Sequence, residues 1–211
     1  MSVTERSDLG VVALSKMRQG LLLILIGWLL FGLSLMIVFA GVFTAIGAWA
    51  VSPPRILIHY LVSWFVVGLI TLIAGGLLSL IGFYFRFIPG VGELSSTNPE
   101  YSTPSKLLRV GYVGGLASVL AGAVLIPLIS LMGFGLFVLG LLLMILGHIG
   151  MVVLCLRLNN VEGDSTYLIS GILFIVGIFI PILIVVSVIL LYVALGDSVR
   201  KRVAAQKPVT T

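Results

Sequence analysis

The chain is poor in charge. Asp, Glu, Lys and Arg make up 9% of its 211 residues, where soluble domains carry about 25%. So little charge cannot coat a globule in water. With 60% hydrophobic residues and a mean hydropathy of +1.30, the composition predicts an integral membrane protein. Cysteine is just as scarce: Cys155 stands alone, which excludes an internal disulfide framework. The long apolar runs show no alternation of apolar and polar residues, which excludes a membrane β-barrel. HExxH, GxSxG, CxxC and GK[ST] patterns are missing, and no pair of carboxylates lies within an apolar run, so no enzyme is expected. No basic stripe interleaved with aromatics exists, so nucleic acid is not an expected partner. The scattered basic residues beside apolar runs suit lipid headgroups.

What is present is long and greasy. Four stretches contain no Asp, Glu, Lys or Arg: 19–54, 56–85, 110–156 and 165–196. A helix needs about 20 apolar residues to cross a hydrocarbon core of about 30 Å. The third stretch fits two helices joined by a tight apolar turn near SLMGFG. The expected fold is an all-α polytopic transmembrane bundle with about five spans, 21–49, 55–85, 105–129, 134–157 and 165–195. The expected organisation is an N-terminal interfacial segment over 1–18, one transmembrane domain over 19–196 and a basic tail over 197–211. Within the domain, a hairpin over 19–86 and a three-helix unit over 104–196 flank a polar linker over 87–103. Pro89, Gly90 and Gly92 supply turn residues for that linker. Ser52–Pro53 and Thr103–Pro104 carry N-cap signals, and Asp164, Ser165 and Thr166 can cap the last span.

An AWA tripeptide at 48–50 resembles a signal cleavage site, but the apolar run before it is far longer than a signal core. Span one is therefore expected to remain. Orientation follows the basic residues. Five spans divide the 12 Lys and Arg seven against five, which favours a cytoplasmic N-terminus in the cell membrane. A turn back at GIFIP would divide them eleven against one, but each arm would then be short for a crossing. One long helix kinked at Pro181 is the expectation. Trp49, Tyr60 and Trp64 near one face, with Tyr84, Tyr112 and Tyr167 near the other, suit aromatic belts.

Small residues recur every seven positions: Gly27, Ser34 and Gly41; Gly68, Gly75 and Gly82; Gly133, Gly140 and Gly147. A seven-residue period keeps one narrow stripe towards a partner helix. In lipid, close backbone approach through small residues supplies the packing that hydrophobicity cannot. These nine residues are the candidate helix-packing positions.

Ionisable residues inside the bilayer are the usual functional suspects, and only His148 lies deep. Met144, His148, Met151 and Cys155 fall on one helical face. Soft sulfur and imidazole donors suit copper or haem iron. Met144 and Cys155 are about 16 Å apart along an axis, so at most a neighbouring pair shares one ion. His148, with Met144 and Met151, is the candidate metal set; a histidine hydrogen-bonded to a nearby carbonyl or hydroxyl is the plainer reading. No cofactor is implied.

The stretches FRFIPGVGELSS, LLRVGYVGG, LGHIGMVVLCLRLNNVEGDSTYLISGILFIVG and LLYVALGDSVRKR resemble an uncharacterised multi-pass membrane family of archaea, mostly Crenarchaeota, a domain of unknown function. The resemblance covers roughly 75–211. Gly111 to Gly114 correspond to a GYTG-like entry to a span, and Leu156 to Asn160 to a YRLGEKYN-like loop. The chain departs in lacking that loop's lysine and in its STNPEYSTPSK insert. The resemblance implies an archaeal cell membrane and a helical domain, and brings no functional residues with it. The expected function is a non-catalytic accessory or scaffolding subunit, with the bilayer and other membrane subunits or further copies of itself as partners. The alternatives are a small transporter or channel, and a haem- or copper-binding redox subunit using His148.

Overall fold

The computed structural model describes residues 3–48 and 54–206, with side chains over 8–47 and 57–205. All regular structure among them is helical. The first helix is α1 (Val3–Ala48) and the second α2 (Pro54–Leu80). A π-helical stretch, Ile81–Phe87, leads without a break into α3 (Ile88–Thr97). After a 3-10 turn at Pro99–Tyr101 come α4 (Ser102–Leu108), a second π-helical stretch Arg109–Gly114, and α5 (Gly115–Leu125). The chain closes with α6 (Ser130–Glu162), α7 (Ser165–Gly177) and α8 (Ile182–Gln206). Five helical runs are long and apolar enough to cross a membrane: Asp8–Gly47, Leu57–Thr97, Pro99–Leu125, Ser130–Glu162 and Ile182–Ala205. This is a polytopic all-α architecture.

The chain divides into two compact units. Residues 22–83 form one, and 1–21 with 84–211 form the other. The smaller is a helical hairpin made by the later part of α1 and by α2. Its seam is glycine and serine. A Cβ on Gly75 would stand 2.6 Å from the Gly27 carbonyl oxygen, and one on Gly41 would stand 2.5 Å from Trp64 Cβ. Ser34 Oγ donates to the Gly68 carbonyl at 2.6 Å. Outside the seam, Leu29, Met36, Phe39, Phe43, Phe65 and Ile70 are exposed.

The larger unit is built on a ring of antiparallel helices. The start of α1 packs on α3, where Gly90 fits against Ala13 and Met17. α3 packs on α4, α4 on α6, α6 on α7 and α7 on α8. α8 returns to α1, where Gly196 lies against the Arg18 guanidinium, which itself stacks on Tyr192 at 4.7 Å. Leu14, Met17, Phe87, Leu154, Tyr167 and Leu195 fill the interior. The ion pair Lys16–Glu93 joins the neighbours α1 and α3, and Arg202–Glu162 ties α8 to the end of α6. From this ring α5 and the first half of α6 extend as a second glycine-seamed hairpin.

Several boundaries differ from expectation. The expected linker over 87–103 is mostly helix: Phe87, Ile88, Val91 and Leu94 are buried, and their apolar spacing carries the helix through two glycines and a proline. Pro89 lacks the N–H that would close an α-turn, and the backbone widens just before it into the π-helical stretch. The chain actually turns at Asn98, whose side-chain oxygen accepts from the Glu100 amide at 3.0 Å. The expected interfacial segment 1–18 is part of α1 from Val3, with Ala13, Leu14 and Met17 at 0% exposure. The expected tail from 197 is α8 continuing to Gln206, with Ser198 buried and Arg202 paired to Glu162.

The largest correction concerns 165–195. It is not one kinked helix. The chain turns back over 178–181, so that Gly177 meets Ile184 and Ser170 meets Ser187. The 13 residues of α7 span about 20 Å, short of a full crossing. Ile178, Phe179, Ile180 and Pro181 form the turn. Asp164 caps α7 as expected, accepting from the Thr166 amide at 2.9 Å. That bond holds the partly exposed Asp164 carboxyl below the ordinary carboxylate range. Gly163, at φ 68°, closes α6 in the left-handed conformation that suits glycine. The expected cap at Ser52–Pro53 and the belt residue Trp49 lie outside the described residues.

Candidate functional site

The α5/α6 seam positions the most connected polar groups. Gly111, Gly115 and Gly122 on one side meet Gly147, Gly140 and Gly133 on the other: a Cβ on Gly115 would stand 3.0 Å from the Gly140 carbonyl oxygen, and one on Gly122 2.8 Å from that of Gly133. A Cβ on Gly147 would press on the Tyr112 ring at 2.8 Å. This approach brings Tyr112 over α6, where its hydroxyl and His148 Nδ1 share a hydrogen bond of 2.9 Å. The His148 ring also meets Phe174 of α7 edge-on, at 6.0 Å and 88°.

On its other side Tyr112 is tied to the first π-helical stretch, because Tyr84 Oη donates to its carbonyl oxygen at 3.2 Å. Tyr84, Tyr112 and His148 thus form one polar line across three helices. It joins the two π-helical stretches, and such local widenings recur at functional positions. Each stretch also carries an exposed arginine, Arg86 or Arg109. A groove of about 590 Å³ opens beside Arg109, between α3 and α4, lined by Tyr84, Ile88, Glu93, Ser105, Arg109 and Val113 among others. A neighbouring groove of about 450 Å³ on the α1 side of α3 includes Lys16, Arg86 and, again, Glu93.

The candidate metal set is distributed differently from a ligand cage. His148 is engaged by Tyr112. Met144 packs its side chain on Gly115 of α5, while Met151 is buried in the larger unit. No cluster of three His, Cys, Asp or Glu suited to a metal occurs among the described residues. Cys155 is buried beside Gly171, with its Sγ 3.9 Å from Ser170 Oγ. Of the packing candidates, Gly27, Ser34, Gly41, Gly68 and Gly75 lie in the first hairpin seam and Gly133, Gly140 and Gly147 in the second; Gly82 is buried. Sequence reading passed over Tyr84, Tyr112 and Arg109 as a working group. The available signal was their position: each tyrosine sits within three residues of the arginine that ends a charge-free run.

Architecture and composition define the class, a multi-pass α-helical membrane protein. The chain belongs to a family described as "Protein of unknown function (DUF973)", which it matches over residues 10–211. No curated protein and no solved structure matches it.

Proposed function

We infer that this protein is a non-catalytic scaffolding or accessory subunit of a cell-membrane assembly, with both ends in the cytoplasm. The outward face of the 22–83 hairpin carries this reading. Gly27, Gly41, Gly68 and Gly75 are spent on the internal seam, and large apolar side chains point away from it: Met36 is 72% exposed, Phe43 71% and Ile70 62%. In a bilayer such a face is covered by lipid or by another protein's helices. Large side chains ranged along a glycine-stiffened rod suit knobs for a neighbouring helix.

The turn at 178–181 supports the orientation. With α7 and α8 folded back, the basic residues of both chain ends share one side. By chain order, a turn back here divides the 12 Lys and Arg eleven against one, a strong positive-inside bias. The resemblance of the quoted stretches favours an archaeal membrane.

Mild extraction followed by mass analysis tests the reading. A reproducible partner set or a defined self-assembly is expected, and photo-crosslinkers at Phe43 and Phe65 should capture it. A monomer giving no crosslink beyond lipid at either position would overturn the proposal.

A further inference from the structure

We propose that the groove between α3 and α4 seats the phosphate of an anionic phospholipid headgroup, held by Arg109 in its wall. The first ground is depth. Arg86 closes the charge-free run 56–85 and Arg109 opens the charge-free run 110–156. The two therefore mark the level where hydrocarbon gives way to headgroups. Tyr84 and Tyr112, joined by their hydrogen bond, fix the two rods at that same level.

Charge is the second ground. Arg86, Lys106 and Arg109 are exposed, and none of them belongs to the ion pairs of the ring, which join Lys16 to Glu93, Arg157 to Glu100, Arg200 to Asp197 and Arg202 to Glu162. The one carboxylate lining the groove, Glu93, is neutralised by Lys16. The groove is left with the Arg109 guanidinium, a donor suited to phosphate oxygens, and with the Ser105 hydroxyl in its wall.

Shape separates a lipid from a free anion. On the membrane side of the arginines the surface turns apolar at once: Phe85 is 71% exposed, Val110 53% and Val113 42%. A headgroup in the groove would lay its acyl chains along this strip. Free phosphate has no use for it. The argument rests on the ends of the charge-free runs and on the groove, and stands apart from the scaffolding reading.

The test reconstitutes the full chain in vesicles of phosphatidylglycerol or of phosphatidylcholine, re-extracts it in mild detergent and counts retained lipids by native mass spectrometry. Retained phosphatidylglycerol is expected, without matching phosphatidylcholine. Arg109→Gln should lower retention by about tenfold, the loss of one charge-assisted contact. Arg109→Lys should restore part of it, and Arg200→Gln, beside Asp197 on α8, should change nothing. Equal retention of the two lipids overturns the proposal, as does an Arg109→Gln variant that retains phosphatidylglycerol at the parental level. If excess inorganic phosphate displaces the lipid and protects the detergent-purified protein from heat as well as the lipid does, the site takes a soluble anion and the lipid assignment is wrong. Should the Arg109→Gln variant lose its monodisperse elution, the two-lipid comparison and the phosphate competition on the parental chain still decide.

Discussion

Two hairpins of the larger unit solve the same packing problem with different chemistry. α5 and α6 are joined by backbone: glycines on each side remove the Cβ atoms, and the chains approach until a methyl group would collide. α7 and α8 are joined by hydroxyls. Ser170 Oγ donates to the Ser187 carbonyl at 2.9 Å, Ser187 Oγ donates to the Ser170 carbonyl at 2.7 Å, and the Tyr167 and Ser198 hydroxyls share a bond of 2.8 Å. Glycine contact needs length, because each close approach contributes only dispersion and weak dipolar terms. Reciprocal hydroxyl bonds hold the short α7 against α8 at a few points. The short hairpin has the directional bonds and the longer one the repeated glycine seam.

The comparison can be broken from either side, and the glycine side should fail hardest. Gly140→Leu has no room beside Val119 and the Gly115 carbonyl. It should cost about 3 kcal/mol, the upper end for overpacking, or abolish monodisperse elution. Gly135→Leu lies on the same helix with nothing within 4 Å and should be close to neutral. Thermal unfolding of the two in one detergent checks the contrast, and equal effects would sink the seam argument.

Ser170→Ala and Ser187→Ala should each cost about 1 kcal/mol. A double-mutant cycle should return a coupling of about 0.6 kcal/mol, the average for hydrogen bonds between membrane helices. Additive effects would mean that the two hydroxyls do not act on each other. Tyr112→Phe should cost about 1 kcal/mol through its lost bond to His148, and His148→Phe combined with it should add less than the same change made alone.

The smallest effect belongs to the cap that opens α7. Asp164→Ala should cost about 0.5–1 kcal/mol, as for other helix N-caps. Its pH dependence follows from a folded carboxyl held below its unfolded value. The stabilisation is complete above the unfolded range, near about pH 4, and is lost as pH falls through the lower folded value. The variant should therefore differ from the parent at neutral pH and converge with it in acid. A difference that grows towards low pH would contradict the assignment.

Sequence carried far where the signal was local and repeated. Gly133, Gly140 and Gly147 are spaced so that they must share a face of any helix, and the charge-free run 110–156 was long enough for two arms in any arrangement. The segment 87–103 misled for the opposite reason. Pro89, Gly90 and Gly92 are turn formers by local preference, but Phe87, Ile88, Val91 and Leu94 find a buried place against the ring, and tertiary burial outweighs propensity. The turn at 178–181 was weighed and set aside on length. Within 165–196 each arm is too short to cross, but α8 continues to Gln206 and is long enough, and the short α7 packs on α6 and α8. Tyr84, Tyr112 and His148 lie 28 and 36 residues apart, and no periodicity links residues on three different rods.

Sequence by itself determined the solvent. The scarcity of charge and the length of the apolar runs require lipid and helices, because backbone polar groups in hydrocarbon must be satisfied within the chain. Tertiary structure alone decided the closure of the ring, the reversal at 178–181 and the meeting of Tyr84 with Tyr112 beside the groove that Arg109 lines. Those depend on which rods come to lie side by side, and each such contact is a relation between distant segments that neither one encodes alone.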